Sequence, residues 1–109
     1  MNIKKLVKSN DSVKCYNHGN KRLRLGDKPG AIKYYSFAII QNPDFVEAYL
    51  NRGTAKAELG DMSGAIEDYN HTLELDPHLA LAYSNRSRAK LALGDQQGAS
   101  QDYYRVSRP

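Results

Sequence analysis

The 109-residue chain has one cysteine, Cys15, no tryptophan and only two phenylalanines. A lone cysteine cannot make an internal disulfide, so packing has to hold the fold, as in a reducing compartment. His18, His71 and His78 are scattered and lack cysteine partners, so no metal-ligand spacing exists and no metal or cofactor is expected. No apolar run approaches the ~20 residues of a membrane span. The basic start, Met1 to Lys8, has no apolar stretch of the ~7–15 residues that a secretory signal needs. A cytoplasmic protein with no membrane insertion is therefore expected. Catalytic constellations are missing too. Glu67 and Asp68 are sequence neighbours and so point to different sides of a helix. The recurring Gly-Asp pairs read as turns, not as a phosphate loop. No enzyme is expected.

Charge of a single sign is also missing. The net charge is +4, but residues 46–79 hold two basic and seven acidic groups. The flanking stretches 12–45 and 80–109 are basic, as is 1–11. Such alternation breaks any continuous track for a polyanion, so nucleic acid is not an expected partner. It suits segments that attract one another or a charged protein.

What the chain does have is self-similarity. Gly26-Asp27, Gly60-Asp61 and Gly94-Asp95 recur every 34 residues. Gly30, Gly64 and Gly98 keep that interval, as do Ala31, Ala65 and Ala99. So do Tyr35, Tyr69 and Tyr103, then Asn17, Asn51 and Asn85, and finally Pro43 and Pro77. The chain divides into a basic segment 1–11, read as disordered or a short helix, and repeats at 12–45, 46–79 and 80–109, the last cut short.

Each repeat reads as two helices. Asp44, three residues before Glu47, is the expected cap of a first helix that runs to Leu59. Gly60 supplies the left-handed residue that ends it. Asp61 caps the second helix, whose Ala65, Tyr69, Thr72 and Leu73 form one apolar stripe. Ala31, Tyr35, Ala38 and Ile39 repeat the stripe, and Ala99, Tyr103 and Val106 end it. Pro29 fits a first helical turn and Pro77 stops a helix. Small residues at Gly19, Gly53 and Ser87 and at the alanine column let helices approach, with the tyrosine column filling the space beside them. Cys15 shares a column with Tyr49 and Tyr83 and reads as a packing residue. No helix pair buries its stripe alone, so neighbours must stack.

This pattern resembles the tetratricopeptide repeat family over residues 12–109: Gly-Asp at the turn, Ala five residues after that Gly, an aromatic four later and Pro eight after that. The resemblance implies an all-α, right-handed superhelical solenoid of antiparallel helix pairs. It also implies a protein-interaction scaffold whose first helices line a concave groove for a partner peptide or helix. The groove positions it implies are Val13, Tyr16, Asn17, Asn20 and Arg24; Glu47, Leu50, Asn51, Thr54 and Glu58; and Leu81, Ser84, Asn85 and Arg88. Amides there grip a peptide backbone. Tyr16, Leu50 and Leu81 offer apolar pockets, and Arg24 and Arg88 can meet carboxylates.

The chain also departs from the family pattern. His18 and Arg22, Arg52 and Lys56, and Arg86 and Lys90 stand as i, i+4 pairs where the family favours Leu and an aromatic. They are expected to lay their stems on apolar surface with the heads in water. A ladder between repeats is the sharper expectation, with Asp68 meeting Arg86 for ~0.2–1 kcal/mol. A subclass of the family binds acidic chaperone tails through a clamp of cations and asparagines. Asn20 and Asn51 match it, but Tyr16, Leu81 and Asn85 stand where its cations belong, which argues against that ligand. A self-associating module that stacks through an open C-terminal repeat, or a piece of a longer array, is the competing expectation.

Overall fold

The computed structural model describes the backbone of residues 3–107 and the side chains of 11–107. Six helices run in order: α1 (Ile3–Arg24), α2 (Lys28–Gln41), α3 (Val46–Glu58), α4 (Met62–Leu75), α5 (Ala80–Ala92) and α6 (Gln96–Ser107). No strand occurs among the described residues. Each helix packs mainly on its neighbours in sequence, pairing α1 with α2, α3 with α4 and α5 with α6, then α2 with α3 and α4 with α5. The result is a solenoid in three helix pairs. Its radius of gyration of 14.7 Å exceeds the roughly 13 Å of a compact chain of this length. The helix that opens repeat 1 begins upstream of residue 12, at Ile3, and runs without a break into the repeat.

The turns within the pairs are built identically. Gly60 has φ +90°, and the Asp61 N–H donates to the Lys56 carbonyl at 2.8 Å while the Gly60 N–H donates to Ala57 at 3.0 Å. That arrangement satisfies carbonyls left over at the end of α3. The Asp61 carboxylate then accepts from the Gly64 N–H at 2.9 Å and caps α4. Asp27 and Asp95 cap α2 and α6 through Gly30 and Gly98 in the same way. These caps explain the second glycine column: a Cβ at Gly30, Gly64 or Gly98 would run into the capping carboxylate.

The entry to α3 differs from expectation. Asp44 does not cap α3; the cap position is Phe45, with no side-chain hydrogen bond. The Asp44 N–H is instead turned onto Asn42 Oδ1. The Phe45 ring packs on Tyr16, with centroids 4.9 Å apart. An aromatic contact, not a carboxylate, fixes how the chain enters α3.

Ala31, Tyr35, Ala38, Ala65, Tyr69, Thr72, Leu73 and Ala99 are buried as the stripes require, and Ile39 is half-buried. Gly53 is small by necessity, because a Cβ there would lie 2.8 Å from the Tyr69 ring and 3.1 Å from Asp68 Cβ. Tyr103 departs from its column: it is 65% exposed, since no helix among the described residues comes after α6 to cover it.

Candidate functional site

The first helices present a polar row that is hydrogen-bonded from repeat to repeat. Asn51 Nδ2 on α3 donates to Tyr16 Oη at 3.1 Å and to Asn20 Oδ1 at 3.2 Å, both on α1. Asn20 Oδ1 also accepts from the Tyr35 hydroxyl. One repeat on, Asn85 Nδ2 donates to Thr54 Oγ1 at 3.4 Å, and Thr54 Oγ1 lies 3.2 Å from the Tyr69 hydroxyl. Asn85 Oδ1 accepts from Arg88 at 2.6 Å. So the Asn17 column reaches back to the preceding first helix wherever one exists. Burial pushes the Tyr35 and Tyr69 phenols up, so both stay protonated.

This network brings together Tyr16, Asn20, Asn51, Thr54, Asn85 and Arg88. Thr54, Tyr69, Asn85 and Arg88 line a concavity of about 230 Å³ with Glu58 and Met62. Asn17 and Arg24 line an exposed flank of α1 with Lys14, His18 and Lys21, and the Arg24 charge also acts on the Tyr35 hydroxyl of the row. Leu81 is exposed. Leu50 is not an open groove pocket: at 9% exposure it packs with Ala65, Tyr69, Leu73, Ala82 and Ala89 between repeats 2 and 3. The row is half structural: Asn51 spends its amide group within the chain, and Asn85, buried at 8% exposure, spends both ends there and supports the row more than it faces solvent.

A second polar system lies on the other side of the first helices, and it corrects two expectations. Asp68, 2% exposed at its side chain, does not meet Arg86. It takes Arg52 Nε at 2.9 Å and Nη2 at 2.7 Å, with Lys56 Nζ at 3.2 Å. Arg86 and Lys90 hold Asp102 identically, at 2.8, 2.7 and 3.0 Å. These cations are therefore tied down and four-fifths buried, not simply reaching into water. Contact between repeats does exist, through the spare nitrogen: Arg52 Nη1 donates to Ser36 and Arg86 Nη1 to Asn70. Burial alone would push the Asp102 carboxyl up, but the hydrogen bonds and charges of Arg86 and Lys90 outweigh it and hold it below its ordinary value. The triads had a sequence signal: Asp68 and Asp102 stand 34 residues apart, in phase with both arginines and both lysines. In repeat 1 the same positions carry His18 and Arg22 against Tyr34, and there His18 stacks on the Tyr34 ring at 5.2 Å.

Burial, together with the Asp11 carboxylate, pushes the Cys15 thiol up and away from the reactive thiolate. Among the described residues no three of His, Cys, Asp and Glu cluster as metal ligands, and no helix is long and apolar enough to cross a membrane. At the α6 end, Leu91, Tyr103 and Tyr104 are exposed around a cavity of about 510 Å³ shared with Ser87 and Ala99.

A tetratricopeptide repeat family model matches residues 16–80. Among solved structures, the chain is similar to the first TPR of Spaghetti (RPAP3) bound to the HSP90 peptide SRMEEVD. That likeness has 30% identity and a TM-score of 0.87, over 90% of this chain and 78% of that one. The first TPR domain of human RPAP3 is 28% identical with a TM-score of 0.85, over 90% and 77%. The Arabidopsis OM64 TPR domain, at 24% identity, a TM-score of 0.88 and coverage of 91% and 82%, speaks for the fold alone. None of the curated proteins compared with the chain matches it.

Proposed function

The chain belongs to the tetratricopeptide repeat family, and on that premise we propose that it is an adaptor that holds an extended peptide of a partner protein along the row Asn20–Asn51–Asn85. The observation that carries this reading is the alignment of these amides with Tyr16, Thr54 and Arg88 across three successive first helices. Fixed, neighbour-braced amides bind a peptide backbone with little ordering cost. Arg88, held by Asn85, adds one cation at the repeat 3 end. A pull-down with wild type beside Asn51→Ala plus Asn85→Ala tests the site. Partners retained equally by both proteins would place the contact elsewhere.

A narrower reading takes support from the relative bound to SRMEEVD: the same groove receives an acidic C-terminal tail. The side chains weigh against it, since Tyr16, Leu81 and Asn85 replace cations and Arg88 shares its concavity with Glu58. Calorimetric titration with SRMEEVD separates the readings, and a Kd tighter than ~10 µM, about −7 kcal/mol, would favour the tail. The exposed Leu91, Tyr103 and Tyr104 favour a third reading, self-association through α6. A monomer by light scattering at high concentration would count against it.

A further inference from the structure

The cleft beside each acid-centred triad recurs with the repeat, but its charge does not. In repeat 2 it is lined by Arg52, Lys56, Glu67, Asp68, Asn70, His71 and Glu74. Two cations there face three carboxylates. In repeat 3 the cleft spans about 640 Å³ and is lined by Tyr83, Arg86, Lys90, Gln101, Asp102 and Arg105, with Ser100 and Tyr104. Gln101 occupies the column of Glu67, and Arg105 the column of His71. Three cations now face one carboxylate, a surplus of two positive charges.

The repeat 3 cleft is also ordered. The Tyr83 hydroxyl donates to the Pro77 carbonyl at 3.0 Å, which fixes its ring. Arg86 and Arg105 both lie against that ring, 5.5 and 5.6 Å from its centroid. Asp102 absorbs the forks of Arg86 and Lys90, whereas Arg105 meets no carboxylate among the described residues. A guanidinium lying over a fixed ring, with no carboxylate partner among the described residues, is preorganised to receive one.

We propose that the cleft of Tyr83, Arg86, Lys90, Gln101 and Arg105 is a second binding site, which takes the carboxylates of an acidic peptide segment. At about 100° per residue this cleft lies roughly 160° around α5 from Asn85 and Arg88, so it is separate from the groove and does not rest on the groove reading. A long polyanion is disfavoured, because the adjoining cleft of repeat 2 carries the opposite sign.

The test uses a tetraglutamate peptide, acetylated and amidated so that its ends carry no charge, titrated into the isotopically labelled full chain at low salt. Expected are saturable amide shifts at Tyr83, Gln101, Asp102 and Arg105 that fade with added salt. Gln101→Glu plus Arg105→His, the residues of repeat 2, should weaken binding at least fivefold and leave the melting temperature unchanged, since both positions are exposed. The reciprocal Glu67→Gln plus His71→Arg should create new shifts in repeat 2. The proposal is overturned if shifts concentrate at Asn51 and Asn85, if the exchanged variant binds as wild type does, or if single-stranded oligonucleotide saturates the cleft and the peptide does not.

Discussion

Asp68→Asn removes one negative charge from the middle of the protein and changes almost nothing in volume. Wild-type Asp68 is almost fully buried and holds the Arg52 fork through two bonds and Lys56 through a third. The variant leaves Arg52, against the Tyr49 ring, and Lys56 with no carboxylate in direct contact, only Glu67 and Glu74 lining the same cleft. Breaking a buried pair from one side costs about 3–5 kcal/mol. Each cation keeps about a fifth of its side chain in water, so some charge can be rehydrated, and the lower end, about 3 kcal/mol, is the expectation. For a domain of this size that lowers Tm by about 12–15 °C. Thermal melts followed by circular dichroism at neutral pH measure it. Changing all three members together, Asp68→Leu with Arg52→Met and Lys56→Leu, should restore most of the loss, because no orphaned charge remains. A drop under ~3 °C for Asp68→Asn, less than 1 kcal/mol, would refute the view that the triad is a buried electrostatic unit.

Other perturbations separate the remaining contributions. A double-mutant cycle between Asp68 and Arg86 should show coupling under ~0.5 kcal/mol, while Asp102 with Arg86 should couple strongly, since that is the pair in contact. Because the folded state depresses the Asp102 carboxyl, its contribution is fully present above its unfolded-state value. It is lost as pH falls through the lower folded value. The Tm gap between wild type and Asp102→Asn should therefore stay constant from pH 7 to about 5 and close toward pH 2; a gap that widens on acidification would reverse the sign. Gly53→Ala should cost about 1–3 kcal/mol by crowding Tyr69. Gly60→Ala should cost about 1–2 kcal/mol from its positive φ alone, as nothing lies within 4 Å of the added Cβ. Asn at position 60 should be milder than Ala, and at position 53 worse, which denaturant melts can resolve.

The six-helix architecture was legible because each punctuation mark has one physical job repeated three times. Gly26, Gly60 and Gly94 supply the positive φ, and Asp27, Asp61 and Asp95 cap the second helix of each pair. Asp44 misled because a carboxylate ahead of a helix satisfies the capping rule in sequence, while the contact of Phe45 with Tyr16, a residue far back along the chain, decides the entry in space. The acid-centred triads were hidden for a related reason: Arg52 and Lys56 read locally as a solvated i, i+4 pair, and only the co-periodic Asp68 and Asp102 betray their partners. Leu50 was placed in the groove by column, yet the stacking of repeat 3 covers it. The amides of the groove were legible as a set, but not that Asn51 and Asn85 are each braced by the preceding repeat, since that depends on how far one first helix lies from the next.

The central claim is that the Asn20–Asn51–Asn85 row receives a peptide. Selection of a displayed random-peptide library on the wild-type chain, then calorimetry of the enriched peptides against Asn51→Ala plus Asn85→Ala, tests it most directly. Loss of two amide contacts at about 1 kcal/mol or more each predicts at least a tenfold rise in Kd, with the Gln101→Glu plus Arg105→His variant binding as wild type does. Enriched peptides that bind the amide variant with unchanged Kd, and are not weakened by Gln101→Glu plus Arg105→His either, would contradict the account.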